Sequence, residues 1–132
     1  QDDVPKYLRD PTAFKEKCVE FLEKFNLEYV HSVWANDQEL EIAMNDETPV
    51  VGGVYLALCI IDPPGQTVNA IKVKGFLDTV KGEGASRGIF ITTGYFSDEA
   101  IRSIDEEPVE LVDVVSFISY LKRFGIYENP SP

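Results

Sequence analysis

Residues 87–100 read RGIFITTGYFSDEA, and this stretch decides the fold. Ile89 to Thr93 is short, almost wholly apolar and β-branched, the composition of a strand covered on both faces. Gly94 ends the run. Ser97 stands where an N-cap belongs, and Asp98 and Glu99 follow in the first helical turn, where the helix dipole favours carboxylates. A strand, a tight turn of glycine and aromatics, and a helix make half of a βαβ unit, so part of the sheet is expected to be parallel.

On the C-terminal side, Val109 to Val112 reads as a further short strand. Asp113 caps a last helix carrying Val114, Phe117, Leu121 and Phe124, with Gly125 at its C′ position, and residues 126–132 read as a tail. On the N-terminal side, Val73, Phe76, Leu77 and Val80 recur at helical spacing and predict a helix over about 68–81 that stops near Gly82–Gly84. The run from Gly82 to Gly88 resembles a phosphate loop only superficially. It leads into a strand instead of joining a strand to a helix, so it is read as a connection.

Earlier still, Val54 to Ile61 is the longest apolar run and is expected as the central strand, covered on both faces; Asp62–Gly65 (DPPG) turns the chain after it. Glu39 to Met44 alternates strictly, with Leu40, Ile42 and Met44 on one face and Glu39, Glu41 and Ala43 on the other. Leu27 to Trp34 is β-branched and aromatic, a strand in which His31 reads as a packed or half-exposed residue. Asp10–Pro11 opens an amphipathic helix through Phe14, Cys18, Phe21, Leu22 and Phe25, and residues 1–9 read as an arm. The order is αβββαβαβα. Three consecutive strands imply an antiparallel meander, the later alternation adds parallel strands, and the product is an α/β domain with a mixed sheet flanked by helices.

At 132 residues, without a linker, repeat or low-complexity segment, the chain reads as a single domain over residues 1–132. Its 44% apolar and 11% aromatic content supports a packed core. No apolar run approaches the ~20 residues that cross a bilayer, no signal peptide is visible, and a cytoplasmic location is expected. The sequence starts at Gln1, which suits a domain excised from a longer protein. Cys18 and Cys59 sit in apolar periodic contexts and read as buried, reduced thiols. One His and no paired-cysteine motif exclude an ordinary zinc site. The net charge of −11, from 23 acids against 12 bases, repels nucleic acid and anionic membranes.

The stretch at 87–100 resembles the "rGiivTtsgFt..A" element near the end of Mrr-like restriction endonuclease domains. Val109–Asp113 (VELVD) is similar to that family's "ieLidg" element. The resemblance runs from about Phe14 to Phe124 and implies a restriction-endonuclease-like three-layer core. It implies further that an Asp in a "DgGiDl" turn holds a divalent cation, magnesium or manganese, while a Gln/Glu-x-Lys on the next strand completes the site. Such chemistry needs carboxylates for the metal and a Lys for the attacking water and developing charge, all projecting from one face of adjacent strands.

Set on that pattern, Asp37-Gln38-Glu39-Leu40-Glu41 puts Glu41 at the metal-binding Asp. Leu58 then falls on the Gln/Glu and Ile60 on the Lys, and no shift of register helps, because Val54 to Ile61 holds no Lys, Glu, Gln or Asp. From Phe25 to Ile71 there is no Lys or Arg, whereas seven acids occur: Glu28, Asp37, Glu39, Glu41, Asp46, Glu47 and Asp62. The expected function is therefore that of a pseudo-enzyme: a catalytically inactive nuclease-fold domain acting as an interaction or regulatory module, without a cofactor. Its partner would be another protein or a neighbouring domain, and a homodimer is compatible with the pattern. Two alternatives remain open. One is a residual metal-dependent endonuclease using Glu41, with Lys72 or Lys74 reaching back as a migrated lysine and Asp37, Glu39 and Glu41 as a weak remnant metal site. The other is an acidic nucleic-acid mimic that binds a basic protein. Thr92, Thr93, Tyr95 and Phe96, at the carboxyl end of a parallel strand, read first as a helix-starting turn and second as a ligand site. Tyr7, Trp34, Tyr120 and Tyr127 are candidate partner-surface aromatics.

Overall fold

The computed structural model describes residues 4–128. Four helices, α1 (Pro11–Glu23), α2 (Ala70–Gly82), α3 (Asp98–Ser103) and α4 (Val114–Arg123), flank a mixed sheet. Its strands are β1 (Glu28–Trp34), β2 (Glu39–Asp46), β3 (Gly53–Ile60), β5 (Arg87–Thr92) and β7 (Val109–Val112), in spatial order β1-β2-β3-β5-β7. The first three strands are antiparallel neighbours, and β3, β5 and β7 run parallel through the α2 and α3 crossovers. A second, two-stranded parallel ribbon joins β4 (Thr67–Val68) to β6 (Tyr95–Phe96). Among the described residues no helix is long and apolar enough to cross a membrane.

The caps fall where side-chain chemistry requires. Asp10, Asn69, Ser97 and Asp113 each accept a backbone N–H from the first turn of α1, α2, α3 and α4 respectively. On one sheet face α1 and α4 bury Phe14, Phe21 and Phe117 against Leu40, Ile42 and Met44 of β2, with the Phe21 and Phe117 rings edge to face at 5.5 Å. Cys18 and Cys59 lie in this layer as free, fully buried thiols, and burial pushes the Cys18 thiol well above the ordinary range. On the other face α2 and α3 cover Leu58, Ile60, Phe90 and Val109. Gly88 of β5 lies under α2 because a Cβ there would meet Val80 Cγ2 at 2.5 Å and the Phe76 ring at 2.8 Å.

Several sequence expectations change. The arm read at residues 1–9 includes a 3-10 turn, Lys6–Arg9, that drives Leu8 fully into the α1/α4 core; residues 1–3 lie outside the described residues. The tail is likewise tied down as far as Glu128. Lys17 Nζ donates to the Ile126 carbonyl at 2.8 Å and pairs with Glu128 at 2.8 Å, and the Glu128 N–H donates to the Tyr7 hydroxyl at 2.9 Å. Residues 129–132 lie outside the described residues. α2 starts at Ala70, since Thr67–Val68 is held by the ribbon to β6. The ribbon forms because Gly94 lets the Gln66 carbonyl approach where a Cβ would clash, and Tyr95 N–H then donates to that carbonyl at 2.8 Å. β3 is central in the sheet, but only its second half is buried on both faces. Val54 remains 43% exposed.

Candidate functional site: a groove on the half-covered face

Alternation along β2 and β3 determines which side chains meet. Glu39 and Glu41 project from the face opposite Leu40 and Ile42, and the antiparallel register sets Glu41 across from Leu58 and Glu39 across from Ile60. The two carboxylates and the two aliphatic residues therefore form a four-residue block on the α2 face. Leu58 and Ile60 are buried at 8% and 6% exposure.

Lys72, in the first turn of α2, reaches back over this block and pairs with Glu39, Nζ to Oε2, at 2.7 Å. Lys74 points elsewhere; it is exposed and does not line the site. Asp37 sits in the exposed turn before β2, where Asn36 Oδ1 accepts the N–H groups of Gln38 and Glu39. The structure thus joins Glu39, Glu41, Leu58 and Lys72, and leaves Asp37 and Lys74 outside. Among the described residues no three His, Cys, Asp or Glu side chains converge as a metal ion would need. Glu39 is engaged by Lys72, and opposite the two carboxylates β3 offers aliphatic carbon instead of further oxygen ligands.

Beside the block lies a cavity of about 720 Å³, floored by β1, β2 and β3 and walled by α2. Its lining is mainly apolar: Val30 and Val33 of β1, Val54 and Leu56 of β3, and Ile71 and Phe76 of α2. Glu39, Glu41, Glu83, Lys72 and Thr79 mark the polar rim, and His31, exposed on β1, also lines it. The groove escaped the sequence reading because its floor comes from three strands. One signal was present: Ile71 is apolar yet off the Val73, Phe76, Leu77, Val80 face of α2, and it stands 81% exposed.

The carboxyl end of β5 is a latch. Thr92 Oγ1 donates to Asp62 Oδ2 at 2.5 Å and accepts the Gly94 N–H at 2.8 Å. Thr93 Oγ1 accepts the Asp62 N–H at 2.7 Å and donates to the Asp62 carbonyl at 2.9 Å. Both hydroxyls are used in holding β3 to β5, and the Phe96 ring packs edge-on against Phe90 at 5.2 Å. Of the candidate surface aromatics, Tyr7, Trp34, Tyr120 and Tyr127 are all half-buried; Tyr7 packs on Tyr127, and Tyr120 packs on Phe21 and Phe124.

The fold is similar to that of the DNA modification-dependent restriction endonuclease AspBHI, with a TM-score of 0.65 at 15% identity over 91% of this chain and 34% of that one. The MspJI restriction endonuclease, solved with a 27-mer oligonucleotide, gives 0.57 at 18% identity over 83% and 26%. A protein of unknown function, AF1548, gives 0.56 at 16% identity over 86% and 78%. The chain thus spans about a third and a quarter of the two restriction enzymes. No curated protein matches the chain. The family model of the Mrr-type restriction endonuclease catalytic domain matches residues 9–121, and the chain belongs to that family.

Proposed function

We propose that this domain is a nuclease fold retained for binding, an interaction or regulatory module without phosphodiesterase chemistry. The observation that carries the reading is the pairing of Glu41 with Leu58 and of Glu39 with Ile60 on one sheet face. Hydrolysis of a phosphodiester at such a block needs ligands for a cation and a charge beside the attacking water; two aliphatic side chains supply neither. The acids from Glu28 to Asp62, with no Lys or Arg among them, also repel a phosphate backbone. Its partner is then a protein or a neighbouring domain, nucleic acid is disfavoured, and self-association by a sheet edge remains compatible. Two buried, unbridged thiols suit a reducing compartment such as the cytoplasm.

One observation favours a second reading, residual endonuclease activity. Lys72 brings an ammonium to within 2.7 Å of Glu39, on the face where a migrated lysine would have to stand. That reading requires Glu39 to exchange Lys72 for magnesium or manganese, with Glu41 as the second carboxylate.

Plasmid nicking at low salt, in magnesium and then manganese, separates the two. We expect wild type, Glu41→Ala and Lys72→Ala to be equally silent. Nicking by wild type that either variant abolishes would establish the second reading.

A further inference from the structure

The groove between α2 and the β1–β2–β3 face is more than the trace of an absent active site. Val30, Val33, Val54 and Ile71 are 54%, 52%, 43% and 81% exposed, and all four line it. Isolated exposed apolar residues are ordinary, but four around one concavity are a surface built for contact. Three strands about 4.8 Å apart give a floor roughly 10 Å wide, close to the ~10–12 Å diameter of an α-helix with its side chains.

Charge narrows the occupant. Lys72, the one lysine or arginine lining the groove, is taken by Glu39, while Glu41 and Glu83 make no ion pair among the described residues. The rim is thus left net negative beside an apolar floor. At the far end of the β1–β2 ladder the exposed Glu28 is held above the ordinary carboxylate range by its hydrogen bond and repulsion with Glu47, a second sign of crowded negative charge. A second copy of this chain, net charge −11, would bring like charge to the same rim. A nucleic acid would do so more strongly. A membrane surface or a purely basic tail would leave the aliphatic floor unused.

We propose that the groove docks a cationic amphipathic helix of a partner protein, its aliphatic face on Val54, Leu56 and Ile71 and its Lys or Arg flanks against Glu41 and Glu83. This rests on the non-catalytic reading above and names the partner chemistry for the same site. The recognition is mixed: the floor sets where the helix lies, and the rim sets its sign.

The test uses three designed peptides of equal length: a Leu/Lys amphipathic helix, the same Leu pattern with Glu, and a Lys/Ser peptide of equal charge. Backbone amide shifts of the protein locate binding, and calorimetry measures it at two salt concentrations. The Leu/Lys peptide should bind with shifts centred on Val33, Val54, Leu56 and Ile71. The Leu/Glu peptide should not bind, and the Lys/Ser peptide should be at least tenfold weaker. Glu41→Lys with Glu83→Lys should weaken Leu/Lys binding at least tenfold and flatten its salt dependence, whereas Glu16→Lys on α1 should leave it unchanged. Equal binding of Leu/Lys and Lys/Ser, or shifts centred off the groove, would overturn the proposal in favour of a general polyanionic surface. No peptide binding together with no plasmid nicking would overturn the docking proposal alone. Nicking lost in Glu41→Ala would overturn the non-catalytic reading and the proposal built on it.

Discussion

On one face of the sheet, α1 and α4 seal Leu40, Ile42 and Met44 of β2 to 1% exposure or less, and the segments flanking them fold in as well, with Leu8 buried and Lys17 tied to Ile126 and Glu128. On the other face, α2 and α3 seal Leu58, Ile60, Phe90 and Val109 but leave Leu56 half-buried and Val33 and Val54 exposed. The same sheet is finished on one side and left half-covered on the other. The sealed face supplies the cohesion of the domain. The open half carries the Glu39–Glu41 and Leu58–Ile60 block, so on the non-catalytic reading proposed above the groove is a surface the fold does not need for its own stability.

The largest expected effect tests that division of labour. Phe117→Ala, removing a ring that meets both Phe14 and Phe21, should cost about 3–5 kcal/mol of unfolding free energy in urea titration. Val54→Thr on the groove floor should change it by no more than about 0.5 kcal/mol. Comparable losses from the two would remove the distinction between the faces. Next, Gly88→Ala should cost about 1–3 kcal/mol, because the new methyl would press on Val80 and Phe76 and lift α2. The same substitution at Gly75, whose Cβ position is open, should be neutral or stabilising, and the thermal midpoints of the two variants should move apart.

Thr92→Val should cost about 1–2 kcal/mol by leaving the Asp62 carboxylate and the Gly94 N–H without their shared hydroxyl, with β3–β5 amide exchange accelerated first. The smallest effect concerns Lys17, which is 5% exposed. Burial alone disfavours its ammonium, but Glu128 and Glu20 outweigh it and hold the pKa above the ordinary lysine range. A raised folded pKa contributes stability below the unfolded value of about 10.4, and that contribution is lost as pH rises through the folded value. Wild type should therefore lose more stability than Lys17→Met in alkaline titration, and equal losses would show that the pair adds nothing.

The sequence made the five strands of the main sheet, the four helices and three of the four caps legible, because each rests on local periodicity or on a short polar signal such as Ser97-Asp98-Glu99. The β4–β6 ribbon was not legible. Two-residue strands have no period, and the pairing depends on a carbonyl meeting Gly94 from 28 residues away, Gln66 to Gly94. Lys17 looked like a member of the polar face of α1, since what buries it is the chain's own far end. At the site, the parity of Glu39, Glu41, Leu58 and Ile60 could be read directly, but the Lys72 contact required the angle at which α2 crosses the sheet. The groove required all three strands.

The central claim, that the family's cation site is gone while its position survives as a groove, is tested most directly by titrating manganese into the isotopically labelled protein and following paramagnetic broadening of its amides. This readout does not depend on knowing a substrate. The account predicts no selective broadening at Glu39, Glu41, Leu58 or Lys72 beyond that of other exposed carboxylates. Selective broadening centred on those four residues at stoichiometric manganese, and lost in Glu41→Ala, would contradict it.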